Sequence, residues 1–166
     1  MKIILYEKLA IDLKSLPHPI TKSDKYVLIS IPDQKIPQFA YTVFFEMQLM
    51  GYIPIIAHAE RNFELRNDNS ILREFEKKGV LVHVAAESII GMNGRENRKI
   101  AIKLCRKGLV HFISTASTGK NVSSPNLINA YHCLEKKIPS AIVESLKQNA
   151  EHLVDGTDFH PQFSIR

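Results

Sequence analysis

The sequence predicts an α/β protein whose sheet is made of parallel strands joined by crossover helices. Apolar, strand-like segments begin at Tyr26, Ile53, Val80 and Leu109, at intervals of about 27 to 29 residues, the length of a strand, a helix and a return. These segments are almost continuously apolar, as in parallel strands that are covered on both faces. Because such crossovers are right-handed, the carboxyl ends of all the strands are expected at one edge of the sheet.

The amino-terminal half contains three predicted strands and one long helix. In order, we predict a strand over Lys2–Tyr6, a helical or irregular segment over Glu7–Leu13, a Pro-rich link at Leu16–Pro19, a strand over Tyr26–Ile31, a helix from Pro37 to Gly51, and a strand over Ile53–Ala57. The long helix is indicated by Phe39, Val43, Phe44, Met47 and Met50 at helical spacing, and its end by Gly51.

The carboxyl-terminal half continues the same alternation. We predict a helix capped by Asn69 or Ser70 and ended by Gly79, a strand over Val80–Ala85, a loop through Gly91 and Gly94, a helix from about Glu96 to Gly108, a strand over Leu109–Ile113, helices over Pro125–Lys136 and Pro139–Leu153, and an irregular tail over about 154–166. The expected total is about five parallel strands.

Length and composition indicate one globular domain over residues 1–166. Hydrophobic residues make up 45% of the 166-residue chain, enough to bury a substantial core. No apolar run approaches the roughly 20 residues that cross a bilayer, so we expect no membrane span and a cytoplasmic location. In that compartment Cys105 and Cys133, each within a helix-like pattern, are expected to be packed, reduced thiols.

The basic charge of the chain does not indicate a nucleic-acid site. The formal charge is +5, and lysines and arginines occur in pairs at Lys77-Lys78, Arg106-Lys107 and Lys136-Lys137. These pairs lie near predicted helix ends, where cations complement the helix dipole, and no aromatic residues alternate with them. We therefore interpret them as a solvated surface and expect no nucleic-acid partner.

Three polar residues follow the strand that ends at Ala57, namely His58, Glu60 and Arg61. Polar groups at the carboxyl ends of parallel strands commonly form the active sites of α/β proteins. A neutral imidazole suits a transition metal and a guanidinium suits phosphoryl oxygens, although His58 alone could equally be a core histidine. Glu60 is either a metal ligand or an ion-pair partner of Arg61 or Arg66, and we favour the ion pair.

Two other features do not indicate a functional site. His83 and His111 lie within predicted strands, so we expect packed rings rather than ligands. The segment Ser117–Lys120 invites comparison with a phosphate-binding loop. The comparison fails, because Ser114 occupies the position of the first glycine of that motif and Asn121 that of its final hydroxyl residue.

Several segments resemble the PHP-type (polymerase and histidinol phosphatase) bacterial tyrosine-protein phosphatases of capsule and exopolysaccharide operons. They are Tyr26–Pro32, Phe44–Asn62, Gly94–Ser114 and Asn149–Val154, and the resemblance extends from about Glu7 to Leu153. It implies a distorted seven-stranded β/α barrel that holds a cluster of manganese-like divalent ions. The implied reaction is hydrolysis of phosphotyrosine on a cytoplasmic tyrosine kinase that controls polysaccharide export.

Three residues match functional positions of that family. The resemblance implies that Glu7 and His58 are metal ligands and that Arg61 binds phosphate, with Ala59 in place of the proline of the family's His-Pro-Glu-Arg. Elsewhere the chain departs from the pattern, since Ala116 and Thr118 stand where the family has a metal-binding aspartate and histidine. The strand from Tyr26 also ends in Ser-Ile-Pro where the family has Glu-Phe-Pro, and the family's opening Asp-x-His-x-His strand has no counterpart.

These departures predict a truncated, degenerate relative: a partial β/α barrel without the amino-terminal βα units, and with little or no phosphatase activity by itself. Divalent ions need about four to six donors each, so we expect no stably bound metal. Open barrel edges favour a homo-oligomer or a complementing chain. The alternative is an active metal-dependent phosphotyrosine hydrolase, acting alone or after completion by a partner chain.

Overall fold

A computed structural model of the chain describes residues 2–15, 25–115 and 125–157. Its centre is one sheet in which all paired strands are parallel and neighbours in space are neighbours in sequence. The strands are β1 (Ile3–Ile4), β2 (Tyr26–Ser30), β3 (Ile53–Ala57), β4 (Leu81–Ala85) and β5 (Phe112–Ser114). This sequential order is the arrangement of a β/α barrel rather than of a doubly wound sheet. The predicted fold class, α/β with five parallel strands, is confirmed.

The helices lie between and after the strands. They are α1 (Leu9–Asp12), α2 (Ala40–Leu49), α3 (Phe63–Asn67), α4 (Asn69–Lys77), α5 (Ala86–Ile90), α6 (Arg95–Arg106), α7 (Pro125–Glu135) and α8 (Ser140–Asp155). Short 3-10 turns cover Leu13–Ser15 and Ala59–Arg61.

Side chains alternate between the two faces of the sheet, and the two faces have different neighbours. One set of strand residues joins the large core formed with the helices: Val27, Ile29, Ile56, Val82, Val84 and Ile113. The other set forms a smaller cluster, Tyr26, Ile55, Leu81 and Phe112, against which Leu153 of α8 packs. A sheet covered on both faces explains why its strands are nearly continuously apolar.

The strand register brings the carboxyl ends of the strands together. Ser30 pairs with Ala57 across β2 and β3, and Ala85 pairs with Ser114 across β4 and β5. The residues that directly follow β3 and β4 therefore lie at the same edge of the sheet. This edge positions His58 and the start of α5.

Several predicted boundaries are wrong in detail. The side chain of Asp68, not Asn69 or Ser70, caps α4 by accepting the Ser70 N–H at 2.8 Å. Helices α3 and α5 lie where no element was predicted, and the predicted loop through Gly91 and Gly94 follows α5. Helix α8 continues to Asp155, past the predicted end at Leu153. The final strand begins at Phe112 instead of Leu109.

The cysteines are free thiols, with Cys105 buried and Cys133 half-buried, and burial raises the pKa of Cys105 above its ordinary value. Among the described residues, no helix has both the length and the apolar character needed to cross a membrane. The predicted link at 16–19, the Ser117–Lys120 segment, the substituted positions Ala116 and Thr118, and the tail from residue 158 lie outside the described ranges.

Candidate functional site

The candidate site is built around a sharp turn at the end of β3. His58 has φ 54° and ψ 47°, and it is the non-glycine residue with positive φ in the described part of the chain. This left-handed conformation costs a residue with a Cβ atom roughly 1 to 2 kcal/mol, and such strain is concentrated at functional sites. The Arg61 N–H closes the turn by donating to the His58 carbonyl at 2.9 Å.

The turn is held at its far end by Asn62. The buried Asn62 side chain accepts the Leu65 N–H at 2.9 Å, which caps α3, and its amide donates to the Pro32 carbonyl at 2.7 Å. The second bond ties the turn to the segment after β2. The Asn62 end of the turn is thus fixed to the segment that follows β2.

His83 of β4 contacts the turn directly. The His58 backbone N–H donates to His83 Nδ1 at 3.3 Å, so neutral His83 holds its proton on Nε2, which donates to Ser114 Oγ at 2.8 Å. The two imidazole rings meet edge to face at 5.1 Å. Burial, reinforced by the neighbouring His58, lowers the pKa of His83 to about 4, which keeps it neutral. The prediction of a packed ring omitted this contact with the candidate site.

Glu60 belongs to the turn, and its side chain is fully buried, with 0% of the residue's surface exposed. Its Oε1 accepts the Ala85 N–H at 3.2 Å and the Ser88 hydroxyl at 2.7 Å, and His58 Nδ1 lies 3.8 Å away. Burial by itself raises the pKa of Glu60, but the His58 imidazole and the Ser88 hydroxyl outweigh burial, so the pKa lies below its ordinary value. Glu60 is therefore a buried carboxylate.

The predicted ion pair of Glu60 with Arg61 or Arg66 is wrong. The Arg61 guanidinium lies 3.5 Å from Asp33, and the Arg66 guanidinium lies 3.8 Å from Glu96. Left-handed His58 leads into the 3-10 turn, in which Glu60 is buried and 48% of the Arg61 side chain is exposed. Arg61 is therefore accessible at the carboxyl edge of the sheet.

The predicted metal ligands are not assembled into a metal centre by the described residues. Glu7 is exposed in the turn after β1. Within residues 2–15, 25–115 and 125–157, no group of three or more His, Cys, Asp and Glu side chains could hold a metal ion. The buried atoms without a hydrogen-bond partner near the turn are His58 Nδ1 and Glu60 Oε2. Two such donors do not fit a divalent ion, which takes about four to six.

His111 lies away from this edge, directly before β5. It is buried, as predicted, and its Nδ1 accepts the Val82 N–H at 3.0 Å. Its Nε2 lies 3.9 Å from Glu76 Oε1, another buried carboxylate. His111 is thus a structural residue of the core.

Comparison with known proteins gives consistent matches. The family profile described as "Capsular polysaccharide synthesis, CpsB/CapC" matches residues 2–155. Tyrosine-protein phosphatase YwqE of Bacillus subtilis is 34% identical over 155 residues, which cover 92% of this chain. CapC of Staphylococcus aureus is 40% identical over 91 residues, 55% of this chain. These matches confirm the resemblance found in the sequence.

A solved structure is similar throughout the chain. It comes from a study of YwqE from Bacillus subtilis and CpsB from Streptococcus pneumoniae, which are described there as unique metal-dependent tyrosine phosphatases. The TM-score is 0.83 at 31% sequence identity, covering 100% of this chain and 68% of the other. The present chain spans 60% of the length of YwqE and 36% of that of CapC.

Proposed function

The chain belongs to the CpsB/CapC family of capsular polysaccharide synthesis, and on that premise we propose that it recognises phosphotyrosine-bearing proteins while hydrolysing phosphotyrosine little or not at all by itself. The proposed partner is a cytoplasmic tyrosine kinase that controls polysaccharide export. The observation that supports this proposal is an accessible Arg61 beside a site where, among the described residues, the buried atoms without a hydrogen-bond partner are His58 Nδ1 and Glu60 Oε2.

Recognition of phosphotyrosine is supported by the weak ion pair that Arg61 makes within the protein. Its partner Asp33 is 61% exposed, and the two groups are 3.5 Å apart. Exposed ion pairs of this kind contribute at most about 1 kcal/mol. A phosphoryl group carries more charge than one carboxylate and accepts the planar guanidinium in a bidentate manner, so it can displace Asp33.

The low activity is supported by the chemistry of the donor set. A bound divalent ion would activate water and neutralise the phosphoryl charge. Among the described residues, the buried donors without hydrogen-bond partners at this edge are His58 Nδ1 and Glu60 Oε2, and both nitrogens of His83 are already hydrogen-bonded. In the sequence, Ala116 and Thr118 also stand at two positions where the family resemblance implies metal ligands.

The test compares binding and turnover in one set of variants. A phosphotyrosine peptide and its unphosphorylated form are titrated against the wild type, Arg61→Ala and the control Arg66→Ala, an arginine in adjacent helix α3. Loss of a charge-assisted bidentate contact predicts about tenfold or more weaker phosphopeptide binding for Arg61→Ala alone. Turnover with added manganese is expected to equal the protein-free blank.

Two results would contradict the proposal in different ways. Equal affinity for the phosphorylated and unphosphorylated peptides would contradict the proposed recognition of phosphotyrosine. Phosphate release that is abolished by both His58→Ala and Arg61→Ala would show that the chain is an active hydrolase, the alternative function predicted above.

A second candidate, hydrolysis after completion by a partner chain or a second copy, is supported by an apolar edge. Ile4 of the edge strand β1 and Ile11 of α1 are each 71% exposed. Within the part of the chain that the structure describes, β1 is the last strand at its side of the sheet, and exposed apolar groups beside such an edge favour association. Sedimentation at micromolar concentration is expected to show an oligomer that Ile4→Lys and Ile11→Lys dissociate, and a stable wild-type monomer would contradict self-association.

A further inference from the structure

We propose that Glu60 is a positioning residue, which clamps the turn over His58–Arg61 to the end of β4 and the start of α5. The proposal concerns how the site is held in shape and does not depend on a bound ion. It starts from the burial of Glu60, which is complete although this residue lies at the edge of the sheet next to the exposed Arg61.

The hydrogen bonds of Glu60 join separate parts of the fold. Its Oε1 accepts the N–H of Ala85, the last residue of β4, and the hydroxyl of Ser88 in α5. Ser88 in turn accepts the side-chain amide of Asn93, beyond the end of α5. One carboxylate oxygen therefore connects the turn after β3 to the neighbouring strand and to the helix that follows it.

The turn needs such an anchor because its own backbone is strained. His58 adopts a left-handed conformation that is unfavourable for a residue with a Cβ atom. The hydrogen bond within the turn is the one from the Arg61 N–H to the His58 carbonyl. Without Glu60, we expect His58 to relax toward an ordinary conformation and to carry Arg61 with it.

The pairing of Arg61 does not replace this anchor. Arg61 and Asp33 form an exposed ion pair, and pairs of this type hold side chains weakly. We infer that Glu60 determines where the Arg61 guanidinium lies, without touching the group that Arg61 binds. The effect of Glu60 on binding therefore rests on the proposed function, whereas its effect on the turn does not.

Three variants separate the clamp from general stability. Glu60→Ala removes the acceptor, and Glu60→Gln retains an oxygen that can accept the same two hydrogen bonds. Glu76→Ala is the matched control, since Glu76 is also a buried glutamate but lies on α4 beside His111. All three are compared under conditions where thermal unfolding shows that each variant is folded.

Amide hydrogen exchange measures the clamp directly. In Glu60→Ala the Arg61 and Ala85 amides are expected to exchange at least about tenfold faster. Opening of the turn then no longer requires that the hydrogen bonds of Glu60 be broken, so it costs less free energy. Glu60→Gln is expected to restore protection, and Glu76→Ala to leave both amides near their wild-type rates. Unchanged exchange in Glu60→Ala, or equal acceleration in Glu76→Ala, would overturn the proposal.

Phosphopeptide binding then tests whether the clamp acts through Arg61. Glu60→Ala is expected to weaken binding about tenfold in the wild-type background and to have no further effect in the Arg61→Ala background, the coupling that two linked residues show. An equal loss in both backgrounds would overturn this route of action. A wild type without phosphopeptide preference would contradict the proposed function, and the exchange rates would still decide the role of Glu60.

Discussion

Replacing His111 by asparagine is expected to reduce the acid sensitivity of the fold. His111 is 4% exposed, and its Nδ1 accepts the Val82 N–H at 3.0 Å. Burial lowers the pKa of His111 to about 4 from the ordinary 6.5. An asparagine oxygen can take the place of Nδ1 and keep the hydrogen bond, but it binds no proton in this range.

The sign of the effect follows from proton binding in the two states. Between pH 6.5 and about 4, unfolding allows His111 to take up a proton that the folded protein excludes, so stability falls as pH falls. Lowering the pKa from 6.5 to about 4 corresponds to about 3 kcal/mol, at roughly 1.4 kcal/mol for each tenfold change in proton affinity. The loss is absent above pH 6.5 and is complete below pH 4.

Other buried groups also titrate near this range, so the comparison must be made between variants. His83, whose burial lowers its pKa to about 4, also destabilises the fold in acid. Burial raises the pKa of Glu76, which faces His111 from α4, against a smaller opposing effect of Arg73, and this shift acts in the opposite direction. His83 is the same in wild type and in His111→Asn, so its contribution cancels in the difference. Glu76 lies 3.9 Å from His111, so the comparison is repeated with Glu76→Gln in both proteins to remove its contribution.

Urea unfolding at pH 7.5 and pH 4.5 measures that difference. The wild type is expected to lose about 2 to 3 kcal/mol more free energy of unfolding between the two pH values than His111→Asn loses. The smaller asparagine lowers stability at both pH values and so does not alter the expected difference. Equal losses in the two proteins would refute the assignment of His111 as a buried, neutral histidine.

Two substitutions test the local geometry of the chain by urea unfolding. Asn62→Ala removes both the cap of α3 and the bond to the Pro32 carbonyl, so the free energy of unfolding should fall by about 2 kcal/mol, and Asn62→Asp should recover only the cap. Gly91→Ala should cost roughly 1 to 2 kcal/mol for its φ of +94°. A steric cost is added, because a Cβ there would lie 3.3 Å from Arg98 Cδ. Gly51→Ala, with φ +85° and no atom within 4 Å of the added Cβ, should show the backbone cost alone, and equal losses in the two variants would contradict the steric part.

The bounds of a strand could be predicted where its buried residues are also the residues that pair with a neighbouring strand. β3 has the predicted bounds, because Gly51, with φ +85°, ends the preceding segment and His58 interrupts the apolar run at the other end. At β5 burial extends beyond pairing, since Leu109 and Val110 are buried but precede the residues that pair with β4. An apolar pattern reports burial, and only the neighbouring strand decides which buried residues are paired.

The candidate site was predictable where its residues adjoin in sequence. His58 and Arg61 belong to one turn, so a strand ending in polar residues was enough to find them. Glu60 and His83 have partners about 25 to 31 positions away, and the choice between an ion pair and a buried carboxylate depends on the left-handed turn at His58. Period-two alternation in β4 could have placed His83 on one face, but a strand that is apolar on both faces hides that signal.

The turn after β3 is stabilised by its neighbours and not by its own conformation. Left-handed His58 costs roughly 1 to 2 kcal/mol, and the buried His58 Nδ1 and Glu60 Oε2 without hydrogen-bond partners each cost roughly 1 to 3 kcal/mol. The Asn62 cap and the two hydrogen bonds to Glu60 Oε1 oppose these costs. Since the same contacts hold both the strained turn and Arg61, a substitution that relieves the strain at His58 is expected to gain stability and lose phosphopeptide affinity together.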